Sequence, residues 1–115
     1  MRVRIESGSG KVMDNVEKAS GFWDRLMGLM GRNIGLEYEG MILINCGSIH
    51  TFFMRSVIDA VYLSKDYTVI GYETIKPWRI GKLIRGTKHV IELPEGSNKF
   101  AIGEKIEIYD YSGER

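Results

Sequence analysis

Apolar residues recur along this chain with two different periods, a strand period at the start and beyond residue 40 and a helical one between. Over residues 2–7, "RVRIES", the pattern alternates: Val3 and Ile5 fall on one side of an extended chain, Arg2 and Arg4 on the other. That is the period of a half-buried strand. "SGSG" at 7–10 supplies a turn, and residues 11–18 read either as the returning strand or as surface chain. In "SGFWDRLMGLMG", Phe22, Leu26, Leu29 and Met30 then share one helical stripe flanked by Trp23, with Asp24 and Gly28 turned away. Ser20 suits the N-cap, Asp24 the positive end of the helix dipole and Gly31 the stop. The spacing predicts a helix at about 20–31 that covers part of a sheet and buries Leu26 and Leu29.

Beyond residue 40 the period is that of strands. "MILIN" at 41–45 is continuously apolar, as a strand covered on both faces would be. "DAVYLS" at 59–64 and "YTVIGYETI" at 67–75 carry β-branched and aromatic residues on either side of a short turn at "KDY". "KHVIEL" at 88–93 and "KIEIYD" at 105–110 add two more strands, joined by "PEGSNKFAIGE". In the last of them Ile106 and Ile108 face inward and Lys105, Glu107 and Tyr109 outward. Together the periods predict an α+β fold: a small β-rich domain with a curled sheet or partly open barrel and one or two short helices. Residues 1–115 form a single domain, with 110–115 expected to fray.

Composition narrows the class without naming a function. The chain of 115 residues can bury one core, and 43% hydrophobic with 27% charged residues is ordinary for a folded domain. Sixteen Lys and Arg against 15 Asp and Glu argue against a nucleic-acid partner, although a local basic patch is compatible with that balance. One cysteine excludes an internal disulfide framework and the usual zinc spacings. "MRVRIESGSG" lacks the apolar stretch of a signal peptide, and no apolar run approaches ~18 residues. A cytoplasmic protein with no membrane partner is expected, and its oligomeric state has no signature.

Candidate chemistry gathers in two places. "NCGSIHTFFMR" at 45–55 holds the only cysteine, one of the two histidines, a hydroxyl pair and an arginine beside a hydrophobic run. Cys46 and His50, four apart, could form a thiolate–imidazole pair if they reach hydrogen-bonding distance. Otherwise Cys46 is a small buried hydrophobe, unreactive because nothing local except His50 would lower its pKa. His50 can serve as a base, a ligand contact or a core histidine. Asp59 opens a strand that wants burial, so it needs either Arg55 or hydrogen bonds as compensation. Met27, Met30, Met41 and Met54 with Cys46 and His50 are soft donors of the type that suits Cu(I). No dense methionine repeat dictates coordination, so they read as core gap fillers, and neither a metal nor a cofactor is expected.

The second place is residues 76–89, "KPWRIGKLIRGTKH". Lys76, Arg79, Lys82, Arg85 and Lys88 recur every third residue with no acid among them. On a helix that spacing would spread the charges around the circumference, and Pro77, Gly81 and Gly86 favour an irregular loop instead. Such a loop could bind an anion, with Trp78 stacking on a ring. The plainer alternative is a solvated loop whose Trp78, Ile80 and Leu83 cover one end of the core. No P-loop, dinucleotide fingerprint, zinc-finger spacing or RNP motif is present.

Taken in order, the segments "ASGFWDRLMGLMGR" (19–32), "GMILINCGSIHTFFMRSVIDAVYLSKDYTVI" (40–70) and "HVIELPEG" (89–96), followed by Gly103-Glu104, make a pattern specific as a set. It resembles the family catalogued as domain of unknown function 192. The matches are Arg25, Gly28-Leu29-Met30 and Arg32, Gly40-Met41, Phe53-Met54-Arg55, Ile58-Asp59, and Val90 to Gly96. Phe53 stands where many of that family carry tryptophan, and "CGSIHT" belongs to a subset of them. The resemblance implies a compact, largely β domain with one or two short helices and implies no activity. It brings forward Arg25, Arg32, Met54, Arg55, Asp59, Glu92 and Gly96 as candidates for a common polar region.

Three function classes follow. The leading one is a binding domain for a small molecule or anion, with His50, Thr51, Arg55, Asp59, Trp78 and Arg79 as ligand-binding residues and His50 at the mouth of a pocket. The rival is a hydrolase-like enzyme using His50 with Asp59 or Cys46. The third is a structural or protein-interaction domain.

Overall fold

The computed structural model describes residues 1–19, 38–52 and 54–111. The helix expected at 20–31, Phe53 and the last residues of the chain lie outside them. Within the described residues each stretch of strand period forms a strand. They are β1 (Arg2–Ser7), β2 (Val12–Ala19), β3 (Gly40–Leu43), β4 (Ile58–Leu63), β5 (Val69–Ile75), β6 (His89–Pro94) and β7 (Ile106–Asp110). Residues 11–18, open between strand and surface chain, are thus the partner of β1, with Val3 opposite Val16 and Ile5 opposite Met13.

The strands make one mixed sheet in the order β5-β4-β6-β3-β2-β1-β7. Only β2 and β3 run parallel; the other neighbours are antiparallel. The sheet is open but curls until its edges touch at one end, where Thr68 and Lys105 form an isolated bridge. There Val69 N–H donates to Glu104 O at 2.8 Å and Ile106 N–H to Tyr67 O at 2.9 Å.

Curling gives the sheet an inner and an outer face, and strand alternation sorts the apolar residues between them. All seven strands contribute to the inner core, including Val3, Met13, Ile42, Val61, Val69, Ile91 and Ile106, with Phe100 from the β6–β7 connection. The outer core belongs to the middle of the sheet: Met41, Leu43, Ile58, Ala60, Tyr62, Ile75 and Val90, joined by Ala19 and by Ile49 from a loop. Both faces of β3, β4 and β6 are therefore packed, which is why "MILI" and "AVYL" show no polar side. Gly40 lets β3 and β6 approach, since a Cβ there would stand 2.8 Å from Glu92 O.

Two buried carboxylates lie within this sheet among the described residues, one on each face. Asp59 shares the inner side with Val61 and Leu63 and is compensated by hydrogen bonds. Its Oδ1 accepts from Thr74 Oγ1 at 2.8 Å and its Oδ2 from Asn98 N–H at 3.1 Å. Glu92 is on the outer face, in a row that runs Glu73–Ala60–Glu92–Met41 across β5, β4, β6 and β3. It is fully buried, and neither of its oxygens has a hydrogen-bond partner among the described residues. Burial pushes its carboxyl up to about 8, so it is largely protonated at neutral pH.

Candidate functional site

The loop after β3 and the loop after β5 are folded against each other. Residues 46–51 run antiparallel to 79–88. Cys46 N–H donates to Lys88 O at 2.8 Å, and Gly81 N–H to Ile49 O at 2.9 Å. Between them His50 and Ile80 form an isolated bridge. The junction is held by Thr51, which is 0% exposed. Its hydroxyl donates to Lys76 O at 2.6 Å and accepts from Arg79 N–H at 2.8 Å. Its backbone N–H donates to Arg79 O at 2.8 Å, and its carbonyl accepts from Trp78 N–H at 2.9 Å.

These bonds keep Trp78 in a conformation that an L-residue rarely adopts. Its φ is 61°, in the left-handed region where the Cβ crowds the following carbonyl at a cost of about 1–2 kcal/mol. The indole is directed outward and remains 55% exposed. One side of it meets Phe52 at 6.0 Å between ring centroids, and Phe52 meets His50 at 4.7 Å, so three rings follow one another along the rim. His50 is anchored by accepting Phe52 N–H on Nδ1 at 3.2 Å, which leaves Nε2 as its other polar atom.

The basic loop packs inward by other residues than its large apolar ones. Trp78, Ile80 and Leu83 do not cover the core; they are exposed. Gly81 and Ile84 face the outer core instead. A Cβ on Gly81 would lie 2.6 Å from the Tyr62 hydroxyl, and one on Gly71 would lie 2.5 Å from Ile84 Cδ1. Below the loop, Glu73 Oε2 accepts from Tyr62 OH and from Lys82 N–H, each at 2.5 Å. Burial first, and the neighbouring Glu73 next, push the Tyr62 phenol well above its ordinary range, so it stays a donor. Tyr62 and Glu73 escaped the sequence reading. Their one available signal was a carboxylate on β5 between Gly71 and Ile75, two positions that turn toward the outer core.

Of the six residues expected at a ligand site, His50, Thr51, Trp78 and Arg79 come together on this rim. Arg55 is exposed and Asp59 is turned to the inner face, its carboxylate held by Thr74 and Asn98. Of the two compensations considered for Asp59, hydrogen bonding is the one found. Cys46 is half-buried, and its thiol donates to Ser48 O at 3.0 Å. Among the described residues no group of three or more His, Cys, Asp or Glu could hold a metal ion, and no helix is long and apolar enough to cross a membrane.

The family described as Uncharacterized ACR, COG1430 (DUF192) matches residues 3–108. The chain belongs to the DUF192 family. A UPF0127 protein of Pyrococcus abyssi is 37% identical over 111 residues, covering 89% of this chain and 92% of the relative. Another, of Thermococcus sibiricus, is 30% identical over 112 residues, covering 90% and 72%. Among solved structures, a protein of unknown function from Novosphingobium aromaticivorans superimposes with a TM-score of 0.73 at 23% identity, over 93% of this chain and 84% of that one. One from Sinorhizobium meliloti, solved as a candidate transcription regulator, gives 0.66 at 22% identity, over 93% and 92%. At those identities the likeness is one of fold. No activity is established for the family, and the rim must be read from its own chemistry.

Proposed function

We propose that this protein is a binding domain for an anionic partner, recognised on the rim formed by residues 46–52 and 76–88. The observation that carries the reading is the buried Thr51, whose hydrogen bonds join the two loops and hold Trp78 in a strained, outward conformation. Such strain persists only where the surroundings over-determine it, and it concentrates at functional positions. Lys76, Arg79 and Lys82 supply positive charge with no acid between them, Trp78 a stacking surface, and His50 Nε2 a polar contact. The protein has the look of a rigid scaffold presenting a fixed rim more than of a catalyst, since Nδ1 of His50 is engaged by backbone.

The test is titration with inorganic pyrophosphate and with a nucleoside monophosphate at low and moderate salt. Saturable binding is expected that weakens as salt rises and falls about tenfold in Arg79→Ala, in the range of a charge-assisted hydrogen bond. Thr51→Val should weaken binding as well, by releasing Trp78. Absence of binding to either probe at any salt returns the rim to plain surface.

A further inference from the structure

The exposed residues of the basic loop are of two kinds. Apart from Gly86, the exposed positions from 76 to 88 are the five cations and the three apolar side chains Trp78, Ile80 and Leu83. No acid and no neutral polar side chain is exposed among them. The apolar three are 55%, 68% and 78% exposed. A solvated loop has no reason to hold large apolar groups out, because each loses hydrophobic stabilisation that a small rotation inward would recover. Here the inward places are already filled by Gly81 against Tyr62 and by Ile84 against Gly71. The backbone is held in that register by Thr51 and by Glu73, which accepts Lys82 N–H at 2.5 Å. The apolar groups therefore project from a stiff support.

Projecting apolar tips ringed by cations match one kind of anionic partner better than a soluble one. A small anion prefers a concave site that encloses it, whereas a bilayer surface offers phosphates at its face and hydrocarbon a few ångströms beneath. Indole is at home at that boundary, with lysine and arginine at the headgroup level. Resting on the reading that this rim binds anions, we infer that the 76–88 loop docks on an anionic phospholipid surface, inserting Trp78, Ile80 and Leu83 among the headgroups while the five cations meet the phosphates. This is peripheral attachment and requires no membrane-crossing segment.

The experiment is co-sedimentation of the whole chain with vesicles of phosphatidylcholine, alone or with phosphatidylglycerol, beside titration with pyrophosphate and a short single-stranded oligonucleotide. Binding at least tenfold stronger to the phosphatidylglycerol vesicles is expected. Leu83→Asn and Ile80→Asn, both at exposed positions, should reduce it about tenfold and leave pyrophosphate binding unchanged. Trp78 emission should shift to the blue with anionic vesicles, a change absent from Trp78→Phe. Vesicle binding indifferent to Leu83→Asn and Ile80→Asn would mean simple electrostatic adsorption and overturn insertion. Pyrophosphate binding without vesicle binding overturns docking and leaves the anion rim standing, and preference for the oligonucleotide overturns docking in favour of a nucleic-acid surface. Failure of every probe removes both readings.

Discussion

The inner and outer faces of this sheet are built from the same strands and obey different rules. Inside, every strand contributes an apolar side chain and the buried carboxylate, Asp59, is satisfied by Thr74 and Asn98. Outside, Tyr62, Glu73 and Glu92 stand among Met41, Leu43 and Ile58, and Glu92 has both oxygens without a hydrogen-bond partner among the described residues. The inner face does the work of a core: it removes apolar surface from water. The outer face retains polar groups whose burial is costly, and one of them, Glu73, fixes the loop that carries the candidate rim. The sheet thus has one face that is plain core and another whose polar groups support the candidate rim.

Glu92 offers the largest test of that separation. Its carboxyl is raised by burial from 4.5 to about 8, so the folded chain holds a proton that the unfolded chain has released. Its contribution is fully present below about pH 4.5 and is lost as pH rises through about 8. The expected loss over that window is on the order of 5 kcal/mol. Urea midpoints followed from pH 5 to 8 should fall in the wild type, and Glu92→Gln should remove that fall whatever its effect on absolute stability. A flat wild-type profile would mean that Glu92 is ionised and partnered.

The next test sets one apolar residue of each kind against the other. Ile91 is fully buried in the inner core, and Ile91→Ala should cost about 2–5 kcal/mol. Leu83 is 78% exposed, the largest fraction among the rim's apolar residues, and Leu83→Ala should stay within about 0.5 kcal/mol of wild type. Equal losses at the two positions would show that the loop packs against something in solution. Between these extremes lies Gly81. Its missing side chain makes room for the Tyr62 hydroxyl, 2.6 Å from where a Cβ would stand. Gly81→Ala should cost about 1–3 kcal/mol and weaken anion binding, because it lifts the loop from its support.

The strands were legible because strand period and β-branched composition are local signals, and each predicted run produced one. The pairing of residues 11–18 with β1 was only half legible, since "KVMDNVEK" alternates too loosely to separate strand from surface chain. Asp59 was readable as a group in need of compensation, but its donor Asn98 lies 39 residues away and no local pattern could name it. The basic loop was misread at Ile80 and Leu83 for a related reason. Apolar residues were assigned inward by type, whereas the His50–Ile80 bridge sets which positions turn in, and a glycine fits beside Tyr62 where an isoleucine would not. Thr51 carries the whole junction yet is an ordinary threonine in sequence, because its partners come from a loop 25 residues further on.

Trp78 turns the contrast into a trade between stability and binding. At φ 61° a glycine removes the Cβ crowding, while the indole, 55% exposed, gives up its contact with Phe52. Trp78→Gly should therefore leave stability unchanged or raise it by about 0.5–1 kcal/mol, measured by thermal melting, while binding to any anionic probe drops. A clear destabilisation would mean that the indole packs as core and that the rim is structural.

The smallest effect should come from His89, on the same strand as Glu92 and on the opposite face. Its ring is 4% exposed, stacks on Tyr67 at 4.2 Å, and accepts Asn45 N–H on Nδ1 at 3.1 Å. Burial, with help from the nearby Lys88 charge, lowers its pKa from the ordinary 6.5. A depressed histidine works in the sense opposite to a raised carboxyl: its contribution is present above about pH 6.5 and is lost as pH falls, when the unfolded chain takes up the proton first. Protonation would also remove the acceptor that Asn45 uses. Just below about pH 6.5 the two faces therefore pull in opposite directions, and above it Glu92 acts without His89. The stability of the wild type should fall gently with pH at first and more steeply above about 6.5. His89→Phe keeps a ring against Tyr67 and removes the titration, so its profile should fall steadily across the whole window. If the break in slope survives in His89→Phe, the inner face owes nothing to the charge state of this histidine, and the opposition between the two faces rests on Glu92 alone.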